Sequence, residues 1–141
     1  MCLFASKATI RNAEKRRKTS GYTYAWKVVR KNWAGLKSQH RHFIWDAGWN
    51  ISDRDTVELC DIEKDNFLTY LDCAIHHGIH VYLRKKDAER YCNGFNVVIR
   101  VKCYNKDLVA RSGSMRATKQ AVYTKVFLAR DEYDNAMKSK A

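Results

Sequence analysis

The chain has 141 residues, 45% hydrophobic and 12% aromatic, which allows one globular domain with a real core and argues against disorder. Its formal net charge is +12 and unevenly spread: residues 1–45 hold eleven Lys/Arg against Glu14 alone, 46–75 hold eight acids against two bases, and 76–141 hold fourteen bases against six acids. No apolar run approaches the ~20 residues of a membrane helix, while a basic surface of this size attracts polyanions.

Proline is absent, so element ends are marked by Gly, Asn, Asp and Ser. Residues 1–20 read as a basic N-terminal arm containing a helix over 6–18 capped at Ser6, and 21–141 as a single α+β domain. Tyr22 to Arg30 alternates as a strand, with Tyr22, Tyr24, Trp26 and Val28 on the side expected to face the core. His42 to Trp45 predicts a short strand, and Ser52-Asp53-Arg54-Asp55 a helix start. Residues 64–78 predict a helix with Phe67, Leu68, Leu71, Ala74 and Ile75 on one face and Gly78 just past its end.

Ile79 to Leu83 predicts a strand, Lys85 to Cys92 a short helix and Asn93-Gly94 a turn. In Phe95 to Tyr104, Val97, Ile99, Val101 and Cys103 alternate with Val98, Arg100 and Lys102, the pattern of a half-buried strand. A turn at 105–107, an extended Leu108 to Arg111 and a polar loop from Ser112 follow. Ala121 to Ala129 predicts one strand with Val122, Thr124, Val126 and Leu128 on one side, and a helix runs from Asp131. The expected fold class is α+β: a mostly antiparallel sheet of four to six strands with two or three helices packed on one face.

Cys73, His76, His77 and His80 offer three imidazoles and a thiolate, but Gly78 ends the helix and sends His80 onto a strand, so no metal is expected. His76, His77 and His80 remain candidate acid/base or pH-sensing groups. The acids from Asp53 to Asp65 lack the Gly and closing Glu of a calcium loop. There is no Gly-rich phosphate loop and no nucleophile elbow, so no cofactor or catalytic residue is assigned. Five cysteines without Cys-x-x-Cys spacing read as free thiols of a reducing compartment. Met-Cys-Leu-Phe ahead of Lys7 reverses the order of a secretory signal, and the expected location is the cytoplasm.

What remains is cations interleaved with aromatics. Lys15, Arg16, Arg17, Lys18, Lys27, Arg30, Lys31, Lys37, Arg41, Arg84, Lys85 and Lys86 form the candidate polyanion-binding set, with Tyr24 and Trp33 as stacking groups.

The run Gly78-Ile79-His80-Val81-Tyr82, then Ala88 and Tyr91, then Val97 to Val101, resembles small accessory proteins carried by bacteriophages. Those proteins open with Met-Cys-Leu, as this chain does, and carry an aromatic-Lys-Val strand that Trp26-Lys27-Val28 matches. The resemblance implies a host-takeover or defence-countering role in the host cytoplasm. The layout also resembles the ADP-ribosyltransferase scaffold, whose catalytic Glu lies on a late strand. Here Glu14, Glu58, Glu63, Glu89 and Glu132 all lie off Ala121 to Ala129, so the main electrostatic partner of that chemistry is missing. The reading is therefore a non-enzymatic protein that binds nucleic acid, a nucleotide or an acidic host protein surface, with no membrane partner. Two alternatives stay open: an ADP-ribosyltransferase-like enzyme on a nucleotide-type substrate, and a charge-driven homo-oligomer in which acidic 46–75 of one copy docks on the basic front of the next.

Overall fold

The computed structural model describes residues 3–5, 7–38, 43–52, 73–75, 78–112 and 118–139. In chain order the first elements are β1 (Leu3–Ala5), α1 (Lys7–Arg17), β2 (Tyr22–Asn32), β3 (Gly35–Ser38), β4 (Ile44–Trp45) and β5 (Gly48–Ile51). Next come β6 (Cys73–Ile75), β7 (Ile79–Tyr82), α2 (Lys85–Arg90) and β8 (Asn96–Tyr104). A 3₁₀ turn at Asn105–Asp107 leads to β9 (Leu108–Arg111), β10 (Gln120–Tyr123), β11 (Lys125–Leu128) and α3 (Arg130–Lys138).

Strand β2 organises the whole. On one side it pairs antiparallel with β8 without interruption, from Tyr22↔Tyr104 to Arg30↔Asn96. On the other side it is shared. Trp26 pairs with Tyr82 of β7, and from Val29 onward β2 turns back on β3. The sheet therefore forks at β2, with one branch through β3 to β4 and the other through β7 and β10 to β9. Beyond β8 lie β11 and the edge strand β5. The sheet is antiparallel, as expected, but among the described residues it has nine strands rather than four to six, with β1 and β6 forming a separate pair.

Opposite residues of an antiparallel pair share a face. Ala25, Val29, Val97, Ile99, Val101 and Cys103 line one face of β2 and β8 and are buried. They join Val126 and Leu128 of β11, Ala13 of α1 and Ala136 of α3 in the main core. Of the β2 face expected to be buried, only the end at Trp26 and Val28 is covered, Val28 being buried and Trp26 half-buried. Tyr22 and Tyr24 are exposed, because the register with β8 sets them against Tyr104 and Lys102.

The helices do not share a face. α1 packs along β9 and contributes Ala13 to the core, so the part of the basic arm described here is docked on the sheet. α2 lies on the other side: Tyr91, just past its end, stacks on Tyr82 at 5.7 Å and 11°, and Tyr82 shares the face of Trp26.

Two local expectations give way to tertiary pairing. Cys73–Ile75, the predicted end of a helix, is instead a strand in register with Leu3–Ala5. The rest of that helix, and the one expected after Ser52, lie outside the described residues. The single strand expected over Ala121 to Ala129 breaks at Thr124. Its N–H donates to the Asp107 carbonyl at 2.9 Å and its own carbonyl accepts from Ser52 N–H at 2.8 Å, so β10 and β11 serve opposite wings of the sheet.

Candidate nucleic-acid interface

The face opposite the core carries a row of aromatic rings that crosses the strands. Trp49 of β5 lies 5.4 Å from Phe127 of β11 and 5.6 Å from Tyr104 of β8. Tyr104 lies 6.0 Å from Tyr22 of β2, and Tyr22 is 5.7 Å from Tyr24. The backbone dictates this. Tyr22↔Tyr104, Tyr24↔Lys102, Phe127↔Lys102 and Phe127↔Trp49 are direct cross-strand pairs, so all these side chains project on one side. Tyr22, Tyr24 and Trp49 are 53%, 40% and 45% exposed.

Cations sit among the rings. Lys102 Nζ lies 3.9 Å from the Tyr22 centroid and 5.3 Å from that of Tyr104, and Lys106 Nζ is 5.9 Å from Tyr104. The Arg100 guanidinium covers Tyr24 at 4.4 Å, and Lys125 Nζ covers Trp49 at 4.8 Å. A side-chain hydrogen bond with Tyr104 holds the Lys102 ammonium above the ordinary lysine value, so it stays charged. Arg100 also meets Glu132 of α3 at 3.7 Å, the acid that tempers this end of the face.

The segment leaving α1 meets the turn that follows β8. Asn105 Nδ2 donates to Thr19 Oγ1 and to the Ser20 carbonyl, both at 3.2 Å, and Asn105 N–H donates to the Gly21 carbonyl at 3.1 Å. These bonds seat the chain leaving α1 against the turn that carries Lys106. Exposed Lys18 directly precedes this seated segment, whereas Arg16 lies within electrostatic reach of Arg111 and Tyr123 on β9 and β10. Arg17 is spent on structure, its guanidinium donating to the Leu108 carbonyl at 2.8 Å.

The remaining expected residues scatter. Lys27 is on the core side, its ammonium enclosed and bonded to the His80 carbonyl, so it offers nothing to a polyanion. Lys31 Nζ donates to the Ser139 carbonyl. Arg30 is exposed but lies at the far end of β2, beside Lys37 and Asn96. Arg84 and Lys85 pair with Asp87 and Glu89, and Lys86 is exposed on α2. Trp33 is 96% exposed at the β2–β3 turn, where Asn32 Oδ1 accepts from Ala34 and Gly35 N–H; the aromatic row does not include it. His80 is half-buried on β7. Arg41, His76 and His77 lie outside the described residues.

Of the two expected stacking groups only Tyr24 belongs to the row. Tyr22, Trp49, Tyr104, Phe127, Arg100, Lys102, Lys106 and Lys125 were not singled out as site residues. Their one local signal is the alternation of β8, which sets Arg100, Lys102 and Tyr104 against an apolar side.

Comparison with protein-family models, curated proteins and solved structures finds no match. Among the described residues no helix is long and apolar enough to cross a membrane.

Proposed function

We propose that this protein is a non-enzymatic nucleic-acid-binding protein that uses the face of Tyr22, Tyr24, Trp49 and Tyr104. The observation that carries the reading is the interleaving: every ring of that set has a cation within 6 Å of its centroid. Nucleic acid pairs aromatic bases with phosphates at short repeat, and rings alternating with cations complement both. An acidic protein surface supplies the charges without the stacking faces. The role matches the accessory function that the resemblance to phage proteins implies, in which a small protein engages a polyanion of the host.

Fluorescence anisotropy with a labelled oligonucleotide of about 12 nucleotides tests this, within the ~4–16 nucleotide range of small binding folds. Binding is expected to weaken steeply from low to moderate salt. If Arg100, Lys102, Lys106 and Lys125 each meet one phosphate, log K falls against log salt with a slope of about −3. Absence of binding at low salt overturns the reading.

A further inference from the structure

We infer that the ligand of this face is a single strand lying across the β-strands, with unpaired bases on Trp49, Tyr104 and Tyr22 in turn. The inference rests on the nucleic-acid reading above and names the form of nucleic acid it takes.

Three observations lead there. The first is spacing. Steps of 5.6 and 6.0 Å between these ring centroids exceed the ~3.4 Å rise of stacked bases along a duplex strand. Rings so placed match bases drawn apart from one another, as they are in a single strand splayed over a protein surface. The second is access. A paired base in a duplex has both faces covered by its neighbours, so an aromatic side chain reaches only its edge, and a surface of ring faces gains little from it. The third is the way cations cover the rings. Tyr22 carries Lys102 and Trp49 carries Lys125. A base stacks on such a ring more strongly than an exposed ammonium does. The displaced ammonium, on its flexible stem, then meets the phosphate of the incoming nucleotide. Each cation thus exchanges a ring for a phosphate as each ring exchanges a cation for a base.

The row also has a direction of exit. Beyond Tyr22 and Tyr104 lie Lys106 and, across the Asn105 bonds, the segment leaving α1 with the exposed Lys18. Phosphates leaving the rings pass over these charges.

Anisotropy titrations of the full chain with three labelled probes of equal length test the inference: a mixed-sequence single-stranded DNA, its duplex, and an abasic strand of tetrahydrofuran spacers with the same phosphates. The single strand is expected to bind roughly 10-fold or more tighter than either of the others, since stacking is counted per base. The double variant Tyr22→Leu/Trp49→Leu should lose most of that margin while keeping the abasic affinity. Duplex or abasic strand binding as tightly as the single strand overturns the inference and leaves the nucleic-acid reading standing as phosphate contact alone. If none of the three probes binds, the broader reading fails with it.

Discussion

Lys27 Nζ donates to the main-chain carbonyl of His80 at 2.7 Å, at the point where β2 parts from β7 and turns to β3. Between Trp26, paired with Tyr82, and Val29, paired with Ser38, β2 has left one neighbour without yet meeting the other. At this fork the lysine side chain itself ties β2 to the backbone of β7. The site is enclosed enough that burial lowers the Lys27 pKa to about 8.

That shift has a definite pH signature. Above pH ~8 the native state releases the Lys27 proton while the unfolded chain, near the ordinary lysine pKa of 10.5, still holds it. The unfolded state binds more protons in that window, so this group's contribution to stability rises with pH between about 8 and 10.5 and is flat below. The full difference is about 3 kcal/mol. Denaturant titrations of the wild type and Lys27→Met across this range should show the gap between them widening in favour of the wild type. A constant gap would mean the ammonium is solvated.

Asp87 anchors α2. Its carboxylate is fully buried and accepts from Arg84 Nε at 2.8 Å, Arg84 Nη2 at 3.2 Å and Lys119 N–H at 3.2 Å. Desolvation pushes its pKa up, but the Arg84 and Lys119 hydrogen bonds outweigh that and hold it below the ordinary value. Its stabilisation is therefore present above the unfolded carboxyl pKa and lost as pH falls through the lower native one. Asp87→Ala is expected to cost about 2–3 kcal/mol in urea unfolding at pH 7, with Arg84 retaining partial access to water. The cost should shrink towards pH 3. A loss under 1 kcal/mol at neutral pH refutes the anchoring role.

Glu132 lies 3.7 Å from Arg100, the cation over Tyr24. Glu132→Gln removes that competitor for the guanidinium, and oligonucleotide affinity should rise about 2-fold or more at low salt, the gain fading as salt screens it. Glu132 stands in the first turn of α3, where a carboxylate favours the helix by ~0.3–1 kcal/mol, so the melting temperature should drop slightly while binding improves. Weaker binding by the variant would show that Arg100 needs Glu132 to hold it over Tyr24.

The tryptophans separate exposure from function. Trp33→Ala should leave both oligonucleotide affinity and stability almost unchanged, within ~0.5 kcal/mol, because Trp33 is 96% exposed at the tip of its turn. Trp49→Ala should weaken binding by ~1–3 kcal/mol if one base stacks there. Equal effects from the two would argue that any exposed indole serves.

The alternation of β8 was legible from local order alone. Residues two apart on a strand share a face, and Val97, Ile99, Val101 and Cys103 are indeed its buried set. The orientation of β2 was not. Tyr22, Tyr24, Trp26 and Val28 form a more apolar set than Ala25, Lys27 and Val29, and hydropathy alone sends all four inward, whereas Val28 is buried and Tyr22 and Tyr24 are exposed. Only the register with β8 resolves this, setting Ala25 against Val101 and Val29 against Val97, since a slip of one residue would turn every side chain over. The strand at Cys73–Ile75 is a similar case, where pairing with β1 overrides a helical period.

Composition and local periodicity thus established a basic, sheet-rich chain and most of its elements, because charge and alternation are properties of neighbouring residues. The site is a property of distant ones. Tyr22, Trp49, Tyr104 and Phe127 come from four strands with more than a hundred residues between first and last, and no local window contains them together. Strand order and register bring them into one row, and those are settled by which apolar faces can be buried at the same time.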